Sequence, residues 1–325
     1  MPVTHRDAVL TEIVRILHPK PTKLDQWFRP ESVDSTGSVQ WDIFNSTRAL
    51  GNFVAHGAEA NMVARRPQSW GQGSLTHFFE TVACKRFDAT QLRQPGTANE
   101  RRDHLRDVRE ELTELTTRLE NRRYALMAGA LQDNQVITIG GVDTTVDYQF
   151  AASHLDAAVD SSWAATTTDI IADLETAIGA IQDDSGEIAT KALMNRHTQQ
   201  YFAKNDHIKL YYSRAQLGGS IIASGNLPGP IEGLDVVVVD ETYTDSSGTV
   251  QKFIPNNVVI VTAEPGPWIS YLIGLSYETY DPPRSARGSR SWDVQMPWST
   301  IVSLEENGLP VIKVPNAVYV FQAVT

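Results

Sequence analysis

The spacing of hydrophobic positions changes several times along this chain, and each change marks an element. Residues 8–17, AVLTEIVRIL, space their apolar side chains for a short amphipathic helix. In HPKPTKLDQWFRPE, which follows, Pro19, Pro21 and Pro30 prevent a regular element. That stretch reads as an extended arm lying on another surface. From about 38 to 90 the pattern shortens to strand-like pieces, SVQWDIF, NMVAR and LTHFFETVAC. RRPQSWGQGS stands between the last two, and its Pro67, Gly71 and Gly73 predict a bend or loose tip. A long two-stranded loop of this kind is marginal alone and needs a neighbour to rest on.

The longest single pattern is TANERRDHLRDVREELTELTTRLENRRYALMAGALQDN, residues 97–134. Pro95 and Gly96 break the chain before it, and Thr97 and Glu100 stand at capping-box spacing. Leu105, Val108, Leu112, Leu115 and Leu119 recur at intervals of three and four, one apolar stripe on a helix about 50 Å long. Arg122 interrupts the stripe after about two heptads, too few for a coiled coil. Seven basic and seven acidic residues between Asn99 and Tyr124 make the outer face neutral and self-paired. LMAGAL then turns small and apolar, which suits close packing, and Asp133 and Asn134 end the rod.

QVITIGGVDTTVDYQF predicts a hairpin turning at Gly140 and Gly141. TDIIADLETAIGAI predicts an amphipathic helix capped by Thr168 or Asp169. TKALMN reads as a strand and RHTQQYFAK as a helix. GLDVVVVDETY and NNVVIVTA read as buried strands around an exposed TDSSGTVQK turn. WDVQMPWSTIVSL and LPVIKVPNAVYVFQAV return to strands. No internal repeat and no low-complexity run is visible.

Length allows two domains, or one with large extensions, and 41% hydrophobic residues suffice for a real core. A net charge of -11 argues against a protein that grips nucleic acid over its whole surface. The acidity is local: residues 165–283 carry 15 acidic against 6 basic side chains, which suggests a compact second domain. Cys84 is the single cysteine, so no intramolecular disulfide forms, and ETVACKRFDA offers it no catalytic partner. MPVTHRDAVLTEIVRIL lacks the layout of a secretory signal, and no apolar run approaches the ~20 residues of a membrane helix. The expectation is a soluble, intracellular chain in which the NST sequon at Asn45 is idle.

Candidate chemistry is thin. HLDAAVD gathers His154, Asp156 and Asp160 without a second histidine at zinc spacing, and His197 and His207 lie ten positions apart. DDSGE, with Asp183, Asp184 and Glu187, lacks the alternating ligands and closing glutamate of a calcium loop. LGGSIIASG does not have the order of a nucleophile elbow, and WGQGSL is a lone G-x-G that bend geometry explains. No phosphate loop or dinucleotide fingerprint is present. The seven Trp residues are scattered, not interleaved with basic clusters as in a stacking platform. The chain reads as a non-enzyme with no catalytic residue, metal or cofactor.

The order of parts is informative: arm, hairpin-like loop, amphipathic rod, hairpin, compact acidic region, returning strands. It resembles the major capsid proteins of tailed phages with the Hong Kong 97-type fold, most closely the lambda-type capsid protein E family. RLENRRYALMAGAL is similar to that family's spine helix running into its peripheral domain. GLDVVVVDETYTDSSGTVQKFIPNNVVIVTAEPGPWISYLIG is similar to its axial-domain strand, exposed turn and following F-[IL]-P-[ND]-[NT] element. KLDQWFRPESVDSTGSVQWDIF is similar to its arm entering the extended loop.

The resemblance implies an α+β Hong Kong 97-like capsid fold. Its parts would be an N-terminal arm over 1–37, an extended loop over 38–90 and a peripheral domain with the spine helix over 91–164. An axial domain over 165–283 and C-terminal strands returning to the peripheral domain over 284–325 would complete it. It implies a structural protein that self-assembles, in the host cytoplasm, into the hexamers and pentamers of an icosahedral head around double-stranded DNA. Portal, scaffold and decoration proteins are the implied partners, with no membrane. Some relatives of the fold lock their shells through a lysine on the extended loop. Here 38–84 contains no lysine, so reinforcement by a decoration protein is implied instead.

Arg65, Arg66 and Trp70 offer residue types enriched at contact hot spots, and Glu114 and Arg118 lie on the rod, so these five are the candidate inter-subunit contacts. Three rivals stand beside this reading. An encapsulin-type compartment shares the fold, a hydrolase could lie hidden in the acidic region, and a helical bundle with a small mixed domain would share only the rod.

Overall fold

A computed structural model describes residues 23–44, 69–85, 104–132, 135–139, 142–155, 157–159, 161–214, 230–245, 247–277, 282–295 and 298–324. After a 3-10 turn at Lys23–Gln26 come strands β1 (Arg29–Ser32), β2 (Ser38–Ile43), β3 (Ser69–Ser74) and β4 (Thr76–Lys85). Helix α1 (His104–Gln132) leads to β5 (Gln135–Ile139), β6 (Val142–Val146) and β7 (Ala157–Ala158). Helix α2 (Ile170–Ser185), β8 (Ala189–Met194), α3 (Arg196–Lys204) and α4 (Asp206–Arg214) follow. Then come β9 (Asp235–Val238), β10 (Thr242–Thr244), β11 (Val250–Lys252), β12 (Val258–Ala263), β13 (Ile269–Ile273) and β14 (Leu275–Ser276). Strands β15 (Arg284–Ser285), β16 (Gly288–Gln295), β17 (Trp298–Ile312) and β18 (Val318–Gln322) complete the chain.

From Val108 onward the leucine stripe behaves as its spacing predicts, and the Leu105 side chain lies outside those described. Val108, Leu112, Leu115 and Leu119 of α1 are buried against Cys84 of β4 and Val302 and Leu304 of β17. Each such side chain contributes roughly 1.5–3 kcal/mol of burial. From Tyr124 the helix leaves this one-sided packing. Met127, Ala128, Ala130 and Leu131 enter the central core with Trp27, Phe28, Trp41, Tyr148 and Ile260. Twenty-nine residues make α1 about 44 Å long. The Thr97–Glu100 cap and the Asp133–Asn134 end lie outside the described residues.

Two sheets frame this core. The first runs β1-β13-β17-β16, with β4 also paired to β17. β17 is one strand of 15 residues, where the sequence suggested two pieces separated by EENG. It continues because those polar side chains have partners inside: Arg287 pairs with Glu306, Ser276 donates to Glu305, and Asn307 Nδ2 donates to the Leu275 carbonyl. The second sheet runs β7-β18-β12-β8-β9. Its outer face is covered by α2, α3 and α4, through Ile170, Leu174, Ala177, Ile181, Phe202 and Ile208. The C-terminal strands divide between the sheets: β16 and β17 join the first, but β18 lies between β7 and β12 in the second. Conversely β13, within 165–283, belongs to the first sheet, so cuts at 164 and 283 do not follow sheet membership.

Local chemistry explains the boundaries. Of the two residues expected to cap α2, Asp169 accepts from Ala172 N at 3.3 Å, and Gly186 ends the helix at φ 77°. Asn195 Oδ1 accepts from Thr198 N at 2.9 Å to cap α3, while its amide donates to Ile254 O and Asn256 Oδ1. The FIPNN stretch therefore serves as the socket for a helix cap. β5 and β6 form the expected hairpin. α4 was not anticipated; Asn205 caps it through Ile208 N, and Ile208 and Tyr212 bury one side. β9, expected as a buried strand, is a half-buried edge strand, since only β8 flanks it.

Candidate inter-subunit surface

Trp70 sits in β3, not at a loose tip. β3 pairs with β2 in the register Trp41↔Gly71, Val39↔Gly73 and Asp42↔Trp70. The two glycines are strand residues because the Trp41 indole lies flat over them. A Cβ on Gly71 would stand 2.3 Å from Trp41 Cε2, and one on Gly73 would stand 2.9 Å from Leu309 Cδ2. Only glycine permits that approach. The inner face of the ribbon, with Val39, Trp41 and Ile43, is thereby sealed onto the core.

Alternation along the strands sends Trp70 to the other face. It is 63% exposed, and Phe44 at the end of the same ribbon is 47% exposed. Main-chain bonds hold this apolar pair in place: Phe44 N donates to Lys313 O at 2.7 Å, and Gln149 Nε2 donates to Trp70 O at 3.1 Å. Gln149 does so from a left-handed backbone, φ 60°, steadied by Asp147 Oδ1 accepting its N–H at 2.7 Å. A groove of about 370 Å3 beside the pair is lined by Glu31, Gln40, Asp42, Leu272 and Lys313 among others. Lys313 Nζ lies 3.0 Å from Glu31 Oε2, and that hydrogen bond holds the Glu31 carboxyl below its ordinary range. The surface is an aromatic ledge with an ion pair at its margin.

The other candidates are distributed. Arg65 and Arg66 lie outside the described residues. Glu114 is exposed on α1. Arg118 is engaged within its own chain, in a two-pronged contact of 3.1 and 3.2 Å with Glu80 of β4. The structure does not join Trp70 to Arg118, whose neighbours differ. Sequence reading missed Phe44, the other half of the ledge, and Gln149 and Lys313, which reach it from distant segments.

It also missed an ionic cluster beneath α1. Arg287 bridges Glu120 of α1 and Glu306 of β17. Burial alone would favour a neutral guanidine, but the two carboxylates outweigh it and raise the Arg287 pKa above its ordinary value. Tyr271 donates to Glu306 at 3.2 Å, and the Arg123 guanidinium sits 4.5 Å from the Tyr271 ring centre. Burial, then the Glu306 charge, raises the Tyr271 hydroxyl well above its usual range.

A long helix laid on one sheet, a second sheet with its own helices and a clamped ribbon define a class, that of Hong Kong 97-like capsid proteins. The putative capsid protein of a prophage of E. coli CFT073 superposes with a TM-score of 0.68 at 12% identity, over 97% of this chain and 98% of that one. A phage-related protein from Bordetella bronchiseptica RB50 gives 0.60 at 11% identity, over 98% and 97%. The mature capsid of bacteriophage PhiM1 gives 0.54 at 11% identity, over 94% and 88%. No curated protein matches the sequence. The model of the phage major capsid protein E family matches residues 7–323, and the chain belongs to that family. It is a phage major capsid protein, and its family and fold are those of structural proteins rather than enzymes.

Proposed function

We propose that this protein self-assembles into the hexamers and pentamers of an icosahedral head, using the ledge of Phe44 and Trp70 as a contact between neighbouring subunits. The observation that supports the ledge is a large exposed indole on a two-stranded ribbon whose opposite face is locked to the core. Such an aromatic pair has the composition of a contact hot spot and loses little side-chain freedom on docking. α1 with the first sheet would form the peripheral part, and the second sheet with α2, α3 and α4 the axial part. Glu114 would lie along the outer edge facing a neighbour, and Arg65 and Arg66 would add cations to the loop. The family membership favours a phage head around double-stranded DNA, with portal, scaffold and decoration proteins as partners, over an encapsulin-type compartment.

The test is Phe44→Ala with Trp70→Ala. The isolated subunit should keep its circular dichroism and its melting temperature within about 2 °C, because both side chains are largely exposed. Shell yield by negative-stain microscopy should fall at least tenfold. Shells of normal yield and heat resistance would remove the ledge from the lattice.

A further inference from the structure

His154 stands where three chain segments meet and is fully buried. Its Nδ1 lies 2.9 Å from the carbonyl oxygen of Val318, at the start of β18. Its Nε2 lies 2.8 Å from Asp184 Oδ2, in the last turn of α2. A carbonyl and an ionised carboxylate can only accept hydrogen bonds. A neutral imidazole has one N–H and one lone pair, so it serves one of these partners and turns a lone pair on the other. Only a ring with both nitrogens protonated donates to both. Asp184 is half open to solvent, so its charge is not stripped of water.

The charged neighbours of the ring are acidic. The last turn of α2 contains no basic residue, yet Asp183 and Asp184 stand there, at the negative end of the helix dipole. From β18 the facing titratable group is Tyr319, whose ring centre is 5.3 Å away and nearly edge-on. Burial, then the charge of Asp173, raises the Tyr319 hydroxyl above its ordinary value, so it brings no charge at neutral pH.

We propose that His154 is a structural imidazolium: a proton-dependent latch fastening residues 151–155 to the end of α2 and the start of β18. When the ring loses a proton, Nδ1–H keeps its bond to Val318, and the Nε2 lone pair is left facing the Asp184 carboxylate. The latched form holds the extra proton. Its contribution therefore belongs to the doubly protonated ring and is lost with that proton.

The experiment uses the full chain labelled with 15N-histidine, as wild type and as Asp184→Asn. The side-chain amide introduced by that change can donate its own N–H to Nε2, so the variant needs no second ring proton, and the partly exposed position lets it fold. At pH 6.5 the wild type should show one histidine with two protonated ring nitrogens and ring N–H protons shielded from exchange. Its melting temperature should drop by about 3 °C or more between pH 6.5 and 9. Asp184→Asn should lose at least half of that drop. A buried wild-type ring with one proton at pH 6.5, or an unchanged drop in Asp184→Asn, would overturn the latch; the wild-type spectrum decides even without the variant.

Discussion

The two sheets bury their breadth by different means. The second is apolar on both faces: Val259 and Val261 of β12 turn toward the helices, and Ile260 turns toward the end of α1. The first has α1 on one face and carries charge inside. Glu305 and Glu306 are neighbours in β17, are 2% and 3% exposed, and point to opposite faces. Glu305 accepts from Ser276 and lies 3.3 Å from His77, whereas Glu306 meets Arg287 and Tyr271. A layer of leucine and valine holds a helix without specifying its position along the sheet. Arg287 ties one point on the helix, Glu120, to one point on the strand, Glu306. The apolar sheet gains cohesion, and the ionic contact is expected to supply registration.

The largest effect should come from attacking α1 over the first sheet. Leu112 is fully buried, so Leu112→Asp places an unpaired charge there and costs several kcal/mol. The subunit should be recovered as aggregate, measured as the soluble fraction on expression. Glu114→Lys, two residues on and exposed, should cost under about 1 kcal/mol. Equal losses would mean that the helix is enclosed on all sides in the subunit.

Next in size is Arg287→Met, which leaves Glu120 and Glu306 buried without their shared cation. Urea unfolding should show a loss of about 3–5 kcal/mol. Adding Glu120→Gln and Glu306→Gln should recover most of it, because the stranded charges are gone while the amide oxygen at 306 still accepts from the Tyr271 hydroxyl. If the triple variant also misplaces α1, seen as altered shell geometry with restored stability, registration is the role of the cluster. A triple variant with neither stability nor normal shells would contradict the division between the sheets.

The smallest effect lies in the β10–β11 hairpin, which belongs to neither sheet. Asp245 accepts from Ser247 Oγ, Thr249 N and Gln251 Nε2, and these bonds lower its pKa to about 2. A depressed acid stabilises above its unfolded value and stops doing so as pH falls through the folded one. The Ser247 and Thr249 amide shifts should therefore hold steady down to about pH 4 and move together with a midpoint near 2. A midpoint near 4 would show that the turn is not closed by this side chain.

The difference between the sheets also explains what could be read in advance. Strands β8 and β12 and helices α2 and α3 were legible, since apolar periodicity and a side-chain cap report directly on two-sided burial. The stripe on α1 was legible for the same reason. β17 was not, because EENG looks like a turn unless its partners are known, and Arg287 and His77 arrive from elsewhere in the chain. Trp70 was singled out as a contact residue on a bend, and it lies exposed in a strand. Gly71 and Gly73 suggest flexibility until Trp41, thirty residues earlier, is seen lying on them. Charge and shape contributed by remote segments leave no local mark.

The placement of β17 and β18 has a consequence for cooperativity. β17 pairs with β4, β13 and β16, and β18 lies between β7 and β12, so each sheet is built round a strand that joins distant segments. β4 and β17 stand more than two hundred residues apart in sequence, which makes their pairing a contact of high loop-closure cost. α1 and the helices around β8 rest on local hydrogen bonds, whereas each sheet closes only when remote strands meet. A subunit in which the β17 segment is undocked lacks Leu309 and Lys313, against which the Trp70 ribbon is mounted. The ledge and the sheet beneath it therefore form together, which couples readiness for the lattice to completed folding.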